Sequence, residues 1–214
     1  SHLMSVDEVS AYKAKKVDGG LSYQGADIEV GDATDTMYNL TIYLVVYKDR
    51  YHNYSAYGTA TWENIFEIIG NGEKNPSRGL DFMALTWGGG GELELQNSSF
   101  TGYYQVTGDE IESSKAKSDS YSGYCWQFKD VEQFIPFGNE YYMKEATCSV
   151  GLSKTYVKYL AKKTNIIFTY IHTYEEHTGS VSFTAGSSGL AGEVSLSGTS
   201  KSWQLEVDVT GLWY

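Results

Sequence analysis

The chain has 214 residues, 41% of them apolar, and carries 27 acidic against 16 basic side chains for a formal net charge of −11. So acidic a surface repels phosphate backbones, which argues against nucleic acid as a partner, and no apolar run is long enough for a membrane-spanning helix. With 19 tyrosines, 23 glycines and two prolines the composition suits short strands joined by glycine turns, because a tyrosine ring packs on a sheet while its hydroxyl reaches water.

Ser1-His2-Leu3-Met4 reads as a remnant of cloning, and residues 5–214 as one β-sandwich domain. Ser5 and Glu8 have capping-box spacing and predict a short helix to about Lys16, ended by Asp18-Gly19-Gly20. Met37 to Tyr47 (MYNLTIYLVVY) is β-branched and aromatic throughout, the pattern of a strand covered on both faces. Tyr54 to Glu63 returns as a second strand. Gly70 to Gly79 is a loop by its Gly, Asn and Pro, Leu80 to Trp87 a strand, and Gly88 to Gly91 a turn. Glu92 to Gln96 alternates again. Gly108 to Gly123 is polar with mixed charge and is expected to be a mobile loop. Strands follow at Tyr124–Phe128, Tyr141–Val150, Thr155–Tyr159 and Asn165–Tyr174.

Thr178 to Thr199 (TGSVSFTAGSSGLAGEVSLSGT) predicts a hairpin folded about Gly186-Ser187-Ser188-Gly189. Pairing Val181 with Val194, Phe183 with Gly192 and Ala185 with Leu190 gathers the apolar side chains, Leu196 included, on one face. Ser180, Ser182, Thr184, Ala191, Glu193 and Ser195 fall on the other. Such a hairpin either covers a core or lines a membrane barrel, since its arms approach the ~9–11 residues of a tilted membrane strand. Beyond it, Trp203, Leu205, Val207 and Val209 alternate with polar residues, giving a strand that is apolar on one face only. An all-β chain of this kind, with no repeat at about 20 to 50 residues, is expected to form an antiparallel sandwich or jelly-roll.

Little in the chain announces chemistry. His172 and His177 flank Glu175 and Glu176, but residues five apart on a strand face opposite ways, and a surface turn is expected there rather than a metal site. Asp32, Asp35, Asp109, Glu110 and Glu112 read as solvated loop charge. No nucleotide or metal motif occurs, so no cofactor and no metal are expected. Cys125 and Cys148 are candidates for a disulfide if the chain is secreted, which its Tyr-, Ser-, Thr- and Gly-rich composition suggests. Glycoside hydrolysis needs only two carboxylates, about 5–5.5 Å apart for retention. Glu140-Tyr141-Tyr142 is similar to the Glu-Tyr-Tyr around the nucleophile of the small jelly-roll xylanases. The likeness covers three residues and their acid/base motif has no counterpart; Glu193 is the nearest stand-in, and membership of that family is not read from it.

Tyr51, Tyr54 and Tyr57, with Tyr103 and Tyr104, would stack on sugar rings if they shared a solvent-facing sheet. The leading expectation is therefore a secreted bacterial sandwich that binds a glycan or cell-surface protein and is not an enzyme. Two alternatives stand beside it: a pore-forming, bacteriocin-like protein that inserts the 178–199 hairpin into a membrane, and a retaining glycosidase built on Glu140 and Glu193. Oligomeric state is not readable.

Overall fold

The computed structural model describes residues 28–63, 79–89, 92–134, 139–154, 163–174, 180–184, 186, 189–198 and 201–213. The expected helix at 5–16, the loop at 70–78, the strand at 155–159 and the Glu175-Glu176-His177 run lie outside them, as do the side chains of residues 132–140. Two antiparallel sheets face each other. Sheet A runs β1 (Ile28–Met37), β2 (Leu40–Lys48), β3 (Tyr54–Trp62), β9 (Asn139–Lys154), β5 (Leu93–Tyr104), with β8 (Val131–Phe134) paired to the start of β9. Sheet B runs β13 (Ser202–Trp213), β10 (Lys163–Thr173), β4 (Asp81–Trp87), β7 (Gly123–Phe128), β6 (Ser113–Asp119). A separate ribbon joins β11 (Val181–Phe183) to β12 (Val194–Leu196). The all-β sandwich expected from the sequence is the fold observed.

Alternation sorts the two inner faces. Sheet A contributes Leu40, Ile42, Leu44 and Val46 from β2, Ala56, Ala60 and Trp62 from β3, and Ala146, Cys148, Val150 and Leu152 from β9. Sheet B answers with Met83, Leu85 and Trp87 from β4, Ile166, Phe168 and Tyr170 from β10, and the predicted Leu205, Val207 and Val209 from β13. The central β3 positions are small because large rings arrive opposite them: a Cβ on Gly58 would lie 2.4 Å from the Phe168 ring. Two strands are buried on almost every residue, β4 and β10. Their inner sides meet sheet A, so something else must cover their outer sides.

One expectation fails in the 108–123 segment. Its residues 113–119 are a strand, β6, paired along β7, and β6 is the sheet edge. An edge strand with Lys115 and Lys117 has too little apolar character to be recognised by pattern, and lysines on an edge discourage pairing with another chain. β1 escapes recognition for the same reason, with Thr34, Asp35 and Thr36 exposed in a row. It joins β2 through a two-residue turn in which Tyr38 takes a positive φ of 54°, its ring meeting Trp203 edge-on at 5.5 Å.

Candidate functional site

The β11–β12 hairpin is a third layer on the outer face of sheet B. Val181 and Val194 are buried with Phe82, Ala84, Cys125 and Ile171, and Phe183, Leu196, Leu80 and Ala116 pack around them. The Phe183 ring lies over Gly123 of β7, where a Cβ would stand 3.1 Å from it. An aromatic over a glycine was expected between Phe183 and Gly192, but the glycine belongs to the sheet beneath. The register differs accordingly: Val181 faces Leu196, Ser182 faces Ser195 and Phe183 faces Val194, two residues from the predicted pairing. A slip of two keeps every side chain on its face, so the division into apolar and polar sides holds along the ladder, whereas at the tip Ala191, expected on the polar face, is buried.

The slip arises at the tip. Ladder bonds extend from Ser197 N–H to Ser180 O (3.0 Å) up to Thr184 N–H to Glu193 O (2.9 Å), and there the regular pairing stops. The following residues fold onto the end of sheet B. Thr86 Oγ1 donates to Gly192 O (2.8 Å), Gly89 N–H to Gly189 O (2.7 Å), Thr164 Oγ1 to Gly189 O (3.2 Å), and Ala191 N–H to Asn165 Oδ1 (2.7 Å). Leu190, expected on the apolar face, is 44% exposed. On the solvent side the hydroxyls of Ser182 and Ser195 meet at 2.7 Å, and those of Ser180 and Ser197 at 3.1 Å. Among the described residues the hairpin makes no strand pairing with either large sheet.

The tyrosines do not assemble a platform. Tyr54 is inside the core, its hydroxyl donating to Trp213 O, and burial pushes its phenol up to about 12. Tyr104 is buried too and donates to Lys129 O at 3.1 Å. Tyr57 packs edge-on against Tyr47 at 5.9 Å, while Tyr51 and Tyr103 are exposed on separate strand ends. Consecutive tyrosines on a strand must split between core and solvent. The disulfide is not formed either: both cysteines are free, Cys148 in the inner core and Cys125 beneath the hairpin, where burial pushes each thiol well up. Glu140 lies on β9 of sheet A, and Glu193 is exposed on the hairpin beyond sheet B. The Glu140 side chain lies outside the described residues.

A polar cluster that the sequence reading overlooked sits between the sheets. Asp81 opens β4, His172 closes β10 and Asp130 lies in the turn between β7 and β8, each 0% exposed. His172 Nδ1 is 3.0 Å from both oxygens of Asp81 and 3.5 Å from Asp130 Oδ2. Thr173 N–H donates to Asp81 Oδ1 at 3.0 Å, and Tyr170 OH donates to Asp81 Oδ2. Burial, then the Asp81 and Asp130 charges, hold the Tyr170 phenol well above its ordinary value, so it remains a donor. Trp62, Trp203 and Tyr174 surround the imidazole, with ring centroids 5.7, 5.1 and 5.2 Å away. His172 lies within the expected strand and is buried, while the surface turn expected after Tyr174 falls outside the described residues. The partners of the imidazole come from distant strands, not from the neighbouring glutamates.

Among the described residues no helix is long and apolar enough to cross a membrane, a fact that does not bear on crossing by strands. Comparison with protein-family models finds no match, and no curated protein matches the chain.

Proposed function

We propose that the protein is membrane-active, carrying the 178–199 hairpin stowed on sheet B and releasing it onto a lipid surface. The observation that carries this reading is an amphipathic ribbon outside both sheet ladders, its apolar side chains resting on an apolar sheet face. Release breaks no strand pairing of the sandwich. It frees two apolar surfaces together: Val181, Phe183, Val194 and Leu196 on the hairpin, and Phe82, Ala84 and Ile171 beneath. A bilayer accommodates the first, and the neighbouring copy in an oligomer the second. Zipped at the observed register about a two-residue turn, the hairpin from 180 to 197 would have arms of about eight residues, close to the ~9–11 of a tilted membrane strand, with serine hydroxyls facing the lumen. Secretion belongs to this proposal, because the lipid surface is met outside the producing cell. The glycan reading lacks a comparable support once Tyr54 and Tyr104 face the core.

Dye release from vesicles, zwitterionic and anionic in parallel, tests it. Intact protein is expected to release dye, and Phe183→Asp, which removes an apolar ring from the lipid face and puts a charge there, to lose that release. Circular dichroism verifies that the variant is folded. Vesicles that stay intact with the unaltered protein at every composition would sink the proposal, as would a folded Phe183→Asp variant with full release.

A further inference from the structure

We infer that the end of the sandwich bearing the hairpin tip is a docking surface for zwitterionic phospholipid, an assignment that rests on the membrane activity proposed above and adds its lipid class and orientation. Large apolar side chains are exposed there: Tyr51 in the β2–β3 turn, Tyr121 in the β6–β7 turn, Trp213 closing β13 and Leu190 in the tip. The strand ends that carry them lie together. Lys48 Nζ at the end of β2 donates to Trp213 O at 2.7 Å, Trp87 Nε1 at the end of β4 to Leu93 O at 3.2 Å, and Leu95 N–H to Ser120 O at 2.8 Å. The tip joins this end through its bonds from Gly89 and Thr164. Two of the rings stand on fixed turns: Asp49 Oδ1 accepts Tyr51 N–H at 2.7 Å, and Asp119 Oδ1 accepts Tyr121 N–H at 2.8 Å. Exposed Trp and Tyr suit the headgroup layer of a bilayer, because the ring is apolar and its hydroxyl or indole N–H is polar.

Charge selects the lipid. Three cations are seated on rings at this end: Lys163 Nζ 4.9 Å from the Trp213 centroid, the Arg50 guanidinium 4.7 Å from that of Tyr51, and Lys48 Nζ 5.4 Å from that of Tyr54. A cation resting on a ring face still has N–H donors to offer a lipid phosphate. Acids share this end: Asp49 and Asp119 are engaged in their own turns, and Glu29, Glu92 and Glu94 flank it. With these acids interspersed and a net charge of −11, the protein is repelled by an anionic bilayer at long range. A zwitterionic bilayer carries no net charge. It presents phosphates to the three cations and, where the head is choline, quaternary ammonium groups to the aromatic faces.

The opposite end supplies a matched control, since Tyr103 is as exposed as Trp213, at 48%, and Val106 beside it is 64% exposed. The full chain is sedimented with phosphatidylcholine vesicles, and bound protein is scored separately from dye release. Wild type is expected to bind. Tyr51→Ala with Trp213→Ala should lower the partition coefficient at least about tenfold, whereas Tyr103→Ala with Val106→Ala should leave it within about twofold. Both pairs alter exposed side chains only, and circular dichroism verifies their folding. Tyr121→Ala, in a different turn of the docking end, should also weaken binding. Adding phosphatidylserine at low salt should lower the binding of wild type. Equal binding by the two double variants would overturn the assignment of the face. Tighter binding to phosphatidylserine vesicles than to phosphatidylcholine alone would overturn the lipid class. Wild type that leaves phosphatidylcholine vesicles unbound would overturn both, and anionic vesicles that still leak would then show the hairpin reading to survive without this surface. Binding without leakage, lost in the Tyr51 and Trp213 double variant, would support the docking surface while sinking hairpin release.

Discussion

Gly58 decides how closely sheet B approaches sheet A. It lies mid-strand in β3 between Ala56 and Ala60, and the Phe168 ring of β10 fills the space its missing side chain leaves. Gly58→Ala inserts a methyl 2.4 Å from that ring, closer than any carbon contact tolerates. Overpacking of this kind costs about 1–3 kcal/mol, and the fully buried Phe168 has nowhere to move. Urea denaturation should report that loss. Phe168→Leu in the same chain should recover part of it, so the double variant is more stable than the two single losses added together. Strict additivity would mean that the ring is not what Gly58 accommodates. The same strand parity that makes Gly58 inward also carried a readable sign of the buried cluster. Asp81 shares its parity with Met83, Leu85 and Trp87, and His172 with Ile166, Phe168 and Tyr170, so each is a polar residue at a core position. Asp130 carries no such sign. It follows the last residue of β7 by two positions, and only the folded chain brings it to the imidazole.

At the scale of elements, strands buried on a face were legible and strands at an edge were not. β2, β4, β10 and β13 follow apolar period and continuity, whereas β1 and β6 bring only a few half-buried apolar side chains, Ala33, Met37 and Ala116, too few to mark a strand by pattern. The hairpin was legible in its faces but not in its register or location. Its apolar stripe predicts a buried surface without saying which one, and the near-complete burial of β4 and β10 supplies the answer. That location makes Cys125 a reporter. The thiol lies under the hairpin, while Cys148 is sealed in the inner core. In a Cys148→Ala chain, a membrane-impermeant maleimide should react slowly with Cys125 in buffer. Adding vesicles that the protein makes leak should speed the reaction at least about tenfold, because the lid over the sulfur has left. An unchanged rate alongside full dye release would show that the hairpin stays docked while the membrane is breached.

For the whole molecule, a stowed hairpin requires two tiers of stability. The sandwich is a closed set of ladders around one core, and its central strands should open only with global unfolding. The hairpin is held differently: by Val181, Val194, Phe183 and Leu196 on an outer face, and by four polar clasps at its tip, each worth about 1 kcal/mol net. Amide hydrogen exchange separates these tiers without any lipid. The Thr184 and Ser197 amides, which close the two ends of the hairpin ladder, should exchange through a sub-global opening whose denaturant slope is well below that of global unfolding, since only the hairpin and the sheet face beneath it are exposed. The Phe168 and Tyr170 amides of β10 should exchange far more slowly, with the full denaturant dependence of unfolding. Thr86→Val removes one clasp while keeping the side-chain shape, so it should speed exchange at Thr184 and Ser197 and leave β10 unchanged. If all four amides instead share one opening free energy and one denaturant slope, the hairpin belongs to the same cooperative unit as the sheets. It would then be unable to leave a folded sandwich, and any membrane activity would have to be sought in another part of the chain.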